Sequence, residues 1–126
     1  MARTRPVLPL AAAAMLTGCN VGAYIHIGPN DDPPSVSLAA SPATASRGET
    51  IGLVAAASDD YRVVEVEFYR LNAGGSSSFL GRDGSAPYAL ETAVPPTASG
   101  DVRYVARAID DAGQAGESQA VVVSVR

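Results

Sequence analysis

Apolar residues alternate with polar ones in short runs throughout the chain beyond residue 35, and turn-forming residues separate the runs. An alternation with a period of two places successive side chains on opposite faces of a strand, one face buried and the other solvated. No stretch of ten residues in this region has a convincing helical period. The alternating runs lie at residues 36–38, 51–57, 64–68, 79–80, 88–90, 102–108 and 121–125.

The spacing of these runs predicts the fold class. Strands that recur every eight to twelve residues, with turns between them, are typical of β-sandwiches. We therefore predict an all-β, seven-stranded antiparallel sandwich of the immunoglobulin-like or fibronectin III-like kind over residues 35–126. Tyr104 stands near the start of one predicted strand, and we expect its hydroxyl to bond nearby backbone as a tyrosine corner.

The N-terminal stretch has a different pattern. Arg3 and Arg5 precede an apolar run at residues 7–16, which leads to Leu16-Thr17-Gly18-Cys19. As a helix this run would span roughly 15 Å, about half of a bilayer, so it is too short for a transmembrane helix. Basic residues followed by a short apolar run are typical of a signal peptide.

These residues resemble the lipobox of bacterial lipoprotein precursors, in which a signal peptidase cuts before a lipid-modified cysteine. The resemblance implies a signal peptide at residues 1–18, acyl chains such as palmitate on Cys19, and a lipidated tether at residues 19–34. Because Asn20 rather than aspartate follows the cysteine, it also implies an outer-membrane location in the cell envelope. The alternative is a secretory signal that is cut elsewhere.

Several segments further along carry a second resemblance. They are Ala57-Ser58-Asp59, Val66-Glu67-Phe68-Tyr69, Leu80-Gly81, Ser85-Ala86-Pro87-Tyr88, Ala106-Arg107-Ala108-Ile109-Asp110 and Ala112-Gly113. In this order they resemble the bacterial Ig-like repeats that occur beside catalytic modules in secreted glycoside hydrolases and in surface proteins. The resemblance covers nearly all of residues 34–125, and it implies a module for binding or spacing.

Composition excludes several function classes. The formal net charge is −4, and an acidic domain repels phosphate backbones, so we expect no nucleic-acid partner. The single histidine, His26, lies in the predicted tether, outside the domain. Without a domain histidine for a nucleophilic triad, a glycine-rich phosphate loop or a metal quartet, we predict that the protein is not an enzyme.

Charged and aromatic residues mark one candidate interaction surface. If the strand around Val66 pairs with the strand around Ala106, their outward residues form a patch at one sheet face. The patch is either a solvated ladder of ion pairs or a recognition surface, and the glycine-rich turn after it is either a solvated hairpin or part of that surface. The candidate residues are Glu65, Glu67, Tyr69, Arg103, Arg107, Asn72, Gly74 and Gly75.

Four aspartates define a candidate calcium site. Asp59 and Asp60 follow one predicted strand, Asp110 and Asp111 follow another, and in this fold the two loops share one end. Clustered carboxylates can hold calcium, whereas aspartates can also simply close turns by accepting backbone hydrogen bonds. We predict no other cofactor.

Two functions are compatible with these features. The first is a non-catalytic, lipid-anchored envelope module for protein interaction or structural scaffolding, with the membrane and an unidentified protein as partners. The alternative is a carbohydrate-binding accessory module, with a glycan as partner. Sugar platforms need exposed aromatic rings, and the sequence has no Trp, five Tyr and two Phe.

Overall fold

A computed structural model describes residues 31–126 of the chain, and residues 32–126 form one compact unit. The predictions for the signal peptide, for Cys19 and for most of the tether lie outside the described residues. Within residues 31–126 every regular element is a strand, which confirms the all-β prediction. None of these residues belongs to a helix that could cross a membrane.

The described residues form nine strands rather than the seven expected. The two that the sequence pattern missed, β2 and β8, have two and three residues, so they are too short to show an alternation. The strands are β1 (Ser35–Ser41), β2 (Thr44–Ala45), β3 (Thr50–Ser58), β4 (Val63–Leu71), β5 (Ser77–Asp83), β6 (Tyr88–Ala93), β7 (Val102–Asp110), β8 (Ala115–Glu117) and β9 (Val121–Val125).

The strands form two sheets that pack as a sandwich. One sheet has the order β1-β3-β6, and the other has the order β2-β9-β7-β4-β5 with β8 paired to β7. The pairs are antiparallel, as predicted, except that β2 runs parallel to β9. The predicted pairing of the strand around Val66 with the strand around Ala106 is present as β4–β7.

The core lies between the two sheets and follows the alternation in the sequence. Ile51 and Leu53 of β3 are buried with Val66 and Phe68 of β4 and Tyr104 of β7. Each such side chain stabilises the fold by roughly 1.5 to 3 kcal/mol when it is fully buried. The remaining buried apolar residues are Ala45, Ala55, Tyr88, Val94, Val102, Ala106, Ala108 and Val123.

Tyr104 does not form the predicted tyrosine corner. Its side chain is buried, and its hydroxyl has no hydrogen-bond partner in the described part of the chain. Burial raises the pKa of this phenol above its usual 10.0, and the positive charge of Arg70 acts in the opposite direction. The residue therefore stabilises the core through its ring, which fills space between the sheets.

Gly116 of β8 lies against the chain just before β1. A β-carbon at this position would collide with the backbone carbonyl oxygen of Pro34. A residue without a side chain is therefore required where β8 passes the entry to β1.

Candidate functional site

The outward side of β4, β5 and β7 carries the residues of the candidate interaction surface. Alternation along β4 buries Val66 and Phe68 and turns Glu67 and Tyr69 toward solvent. The strand register then places Tyr69 opposite Phe79 of β5 and Glu67 opposite Arg107 of β7. We call the set Glu65, Glu67, Tyr69, Phe79, Arg82 and Arg107 the outer patch.

Glu67 is the centre of one half of the outer patch. The Tyr69 hydroxyl donates a hydrogen bond of 2.8 Å to Glu67 Oε1, and Arg107 Nη1 lies 3.4 Å from the same oxygen. Partial burial and the hydrogen bond to this carboxylate raise the pKa of Tyr69 above 10.0, while Arg107 acts in the opposite direction. Two donors from different strands thus hold one carboxylate in place.

Phe79 is the centre of the other half. Its ring meets the Tyr69 ring edge to face, with 5.5 Å between the centroids and 63° between the planes. The Arg82 guanidinium lies 5.4 Å from the Phe79 centroid, and its Nη1 is 3.8 Å from Glu65 Oε2. Side-chain contacts therefore run without a break from Arg107 through Tyr69 and Phe79 to Glu65.

The chemistry of the outer patch suits binding. Phe79 is 49% exposed although it is a large apolar residue, and the ion pairs Glu65–Arg82 and Glu67–Arg107 lie on the same face. Aromatic and arginine side chains are enriched among the residues that dominate protein-protein binding energy. An apolar centre within a rim of charged groups is the usual anatomy of a protein interface.

Two parts of the predicted surface lie apart from this network. Arg103 pairs in register with Leu71, not with a glutamate. In the β4–β5 turn, Asn72 is engaged in closing the turn, because its N–H donates to the Ser76 carbonyl at 2.8 Å and its amide donates to the Ser78 hydroxyl at 3.0 Å. Gly74 and Gly75 are exposed at the tip.

Sequence reasoning missed Phe79 and Arg82 as members of the patch. The sequence pattern predicts that Phe79 lies in a strand, but its neighbour across the hairpin depends on the register of β4 with β5. That register shifts between Phe68 and Tyr69, where the pairing is irregular. A bulge moves every later residue by one position, so alternation alone cannot assign the facing pair.

The four candidate aspartates separate into two kinds. One carboxylate oxygen of Asp59 lies within 4.8 Å of one of Asp110, and Asp110 is only 2% exposed. Asp60 and Asp111 are exposed, and Asp60 Oδ2 accepts a hydrogen bond from the Asp32 N–H at 3.2 Å. The fold thus brings Asp59 and Asp110 together and leaves their neighbours at the surface.

The chain belongs to the bacterial Ig domain family, whose match covers residues 34–114. Domains of this kind are generally non-catalytic modules. No curated protein matches the chain.

Two solved structures support the fold. The fibronectin(III)-like modules of CbhA from Clostridium thermocellum are 27% identical, with a TM-score of 0.55 over 74% of this chain and 45% of that one. This chain therefore spans less than half the length of that structure. A Niemann-Pick type C2 protein from Japanese carpenter ant is 8% identical, with a TM-score of 0.50 over 82% of this chain and 100% of that one. At that identity the likeness concerns the fold alone.

Proposed function

We propose that this protein is a non-catalytic Ig-like module of the bacterial cell envelope, anchored by lipid on Cys19, that binds another protein through the outer patch. The observation that carries the proposal is the exposed Phe79 ring, which packs against the Tyr69 ring and the Arg82 guanidinium. Side chains that are already ordered lose less entropy on binding, so this geometry favours recognition.

The charges of the outer patch also favour a protein partner. Glu67 with Arg107 and Glu65 with Arg82 each combine opposite signs, so the outer patch presents both charges beside the apolar ring of Phe79. Such charged groups contribute to specificity and to the rate of association more than to affinity. A nucleic acid or an anionic lipid surface would require an excess of positive charge.

The ring geometry makes carbohydrate binding the weaker alternative. A sugar platform needs aromatic rings that offer their faces in a common plane, because the sugar stacks on them. Tyr69 and Phe79 meet at 63°, so they do not form a shared plane.

The 27%-identical CbhA structure consists of fibronectin(III)-like modules, which supports a modular, non-catalytic role for this chain.

Photo-crosslinking in intact cells tests the protein-binding proposal. A photoreactive amino acid replaces Phe79 in the outer patch, or Val54 on the opposite sheet as a matched control. The two positions are equally exposed, at 49% and 51%, and both residues are apolar. We expect a discrete protein adduct from position 79 that position 54 does not produce. Identical adducts from both positions, or none from position 79, would contradict the proposal.

Lipid anchoring needs a separate test, because it rests on the sequence of the first 20 residues. Cells that express the chain are fed an alkyne analogue of palmitate, and the purified protein is analysed for incorporated label. We expect the label in the wild type and its loss in Cys19→Ser, which also leaves the membrane fraction. A wild-type protein without label would contradict lipid anchoring on Cys19.

We further propose that the lipid anchor lies in the outer membrane, because the lipobox resemblance with Asn20 after the cysteine implies that location. Two acyl chains hold a protein on a bilayer stably, whereas one chain gives only reversible binding. Separation of inner and outer membranes on a density gradient tests the location. We expect the chain in the outer-membrane fraction, and an Asn20→Asp variant to shift toward the inner membrane.

A further inference from the structure

The turns that follow β3 and β7 meet at one end of the sandwich. Asp59 comes directly after β3, and Asp110 is the last residue of β7. The first residue of β4, Val63, pairs with Asp110, and the Asp111 N–H donates to the Arg62 carbonyl at 3.2 Å. Backbone contacts therefore hold the two turns next to each other.

Both carboxylates use one oxygen to close their own turn. Asp59 Oδ2 accepts hydrogen bonds of 3.1 Å from the backbone N–H groups of Tyr61 and Arg62. Asp110 Oδ1 accepts bonds of 2.9 and 2.7 Å from the N–H groups of Ala112 and Gln114. Four backbone donors thus fix the two side chains, and this much agrees with a turn-closing role.

The second oxygen of each carboxylate has no such role. Asp59 Oδ1 and Asp110 Oδ2 are both buried and have no hydrogen-bond partner among residues 31–126. Asp110 as a whole is 2% exposed. A buried acceptor without a partner is costly, and a buried charge without a partner is more so. Turn closure alone leaves these two oxygens unexplained.

The salt bridges found among residues 31–126 leave this pair of carboxylates without a cationic partner. One oxygen of each carboxylate lies within 4.8 Å of the other, and like charges at this distance repel. Arg82, Arg107 and Arg126 form their salt bridges with glutamates elsewhere. A bound cation would satisfy both oxygens and remove the repulsion at once.

We propose that Asp59 and Asp110 together bind a calcium ion at this end of the sandwich. Carboxylate oxygens are hard ligands, and calcium accepts an irregular set of them, completed by carbonyl groups and water. Zinc prefers nitrogen and sulfur, and the only His and the only Cys of the chain, His26 and Cys19, are outside the domain. Magnesium requires near-ideal octahedral geometry and gives up its water reluctantly.

The role of the ion is to hold the two turns together. Asp60 and Asp111 are exposed and add negative charge nearby, which raises the local concentration of cations without coordinating them. Extracellular calcium modules bind with dissociation constants of about 0.1 to 1 mM, and a site with two carboxylates belongs in that range. Binding to the folded state alone must also raise the melting temperature.

Calcium titration of the purified full chain, after treatment with chelator, tests the proposal. We expect one ion per chain by isothermal titration calorimetry and a melting temperature that rises with calcium concentration. Magnesium at equal concentration should have a much smaller effect. An absent heat signal and an unchanged melting temperature, at calcium well above 1 mM, would overturn the proposal, as would an equal effect of magnesium.

Variants identify the ligands. Asp59→Asn and Asp110→Asn keep an oxygen that accepts the backbone hydrogen bonds, so each retains its turn while losing the charge. We expect each to weaken calcium binding by about tenfold or more, because affinity in such sites depends on the number of charged ligands. In chelator, Asp59→Asn should be at least as stable as the wild type, since one of two repelling charges is gone. If Asp110→Asn fails to fold, Asp59→Asn still decides the question.

Asp83→Asn is the matched control. Asp83 also closes a turn, since its Oδ1 and Oδ2 accept from the N–H groups of Ser85 and Ala89 at 3.2 and 3.1 Å. Both of its oxygens have partners, unlike those of Asp59 and Asp110. We expect calcium affinity within about twofold of the wild type. If Asp83→Asn weakened binding as much as Asp59→Asn, the effect would come from net charge and the assigned site would be wrong.

Discussion

The two faces of strand β4 differ in how their side chains are held. On the inner face Val66 and Phe68 are fully buried, and their environment is the apolar core between the sheets. On the outer face Glu67 and Tyr69 contact each other and their neighbours on β5 and β7 through hydrogen bonds, ion pairs and ring contacts. Successive residues of one strand therefore experience opposite kinds of interaction.

This difference separates what stabilises the domain from what is available for recognition. Burial on the inner face is large and does not depend on direction, whereas a partly exposed ion pair contributes only about 0 to 1 kcal/mol. The outer patch can therefore change in sequence with little effect on folding. Its contacts order the side chains and leave the Phe79 ring accessible to a partner.

The largest predicted effect compares the two phenylalanines. Phe68→Ala removes a fully buried ring and should lower the free energy of unfolding by about 3 to 5 kcal/mol. Phe79→Ala removes a half-exposed ring and should cost about 1 kcal/mol or less. Urea unfolding followed by far-ultraviolet circular dichroism measures both. Similar losses in the two variants would contradict the separation of the faces.

The next effect concerns Tyr104, whose hydroxyl is buried without a partner. Tyr104→Phe removes this group and should leave the stability at pH 7 unchanged or raise it by about 1 kcal/mol. A loss of more than about 1 kcal/mol in the same urea unfolding measurement would show that the hydroxyl has a partner after all.

The same residue predicts a dependence on alkaline pH. The pKa of Tyr104 in the folded protein is raised above 10.0, so below pH 10 the phenol is protonated in both the folded and the unfolded state. Above pH 10 the unfolded chain loses this proton first, and stability falls as the pH rises. Tyr69 shifts in the same direction. Unfolding curves between pH 9 and pH 11.5 should show a shallower decline for Tyr104→Phe than for the wild type.

The smallest effect is the ion pair of Glu67 with Arg107. A double-mutant cycle with Glu67→Gln and Arg107→Gln should give a coupling energy of at most about 1 kcal/mol, because the arginine is exposed to solvent. The coupling should decrease in 1 M salt, where charges are screened over about 3 Å. A coupling of several kcal/mol that does not change with salt would show that the outer patch stabilises the fold.

The sequence pattern was sufficient to locate the strands whose apolar and polar residues alternate. The runs at 51–57, 64–68 and 102–108 correspond to β3, β4 and β7, because one face of each strand is buried and its apolar residues recur with a period of two. The pattern did not locate β2 and β8, because their few residues form strands through backbone pairing with β9 and β7. Backbone hydrogen bonds leave no signature in side-chain polarity.

The two candidate sites were predictable to different extents. The predicted pairing of two clearly alternating strands brings Glu67 opposite Arg107, as expected of the glutamates and arginines, whereas Arg103 lies opposite Leu71. The contact of Tyr69 with Phe79 depends on the irregular register of β4 with β5. Among the four aspartates, the sequence could not distinguish the buried Asp110 from the exposed Asp111, because adjacent residues of one turn differ only in where the backbone directs them.

The sequence by itself determined the all-β class and the positions of the main strands, because alternation is a local property that each segment carries alone. Only the tertiary structure decided that Phe79 completes the outer patch and that Asp59 and Asp110 converge with two unpartnered oxygens. These arrangements depend on strand register and on contacts between turns that are distant along the chain. Such contacts exist only after the two sheets have packed, and no single segment specifies them.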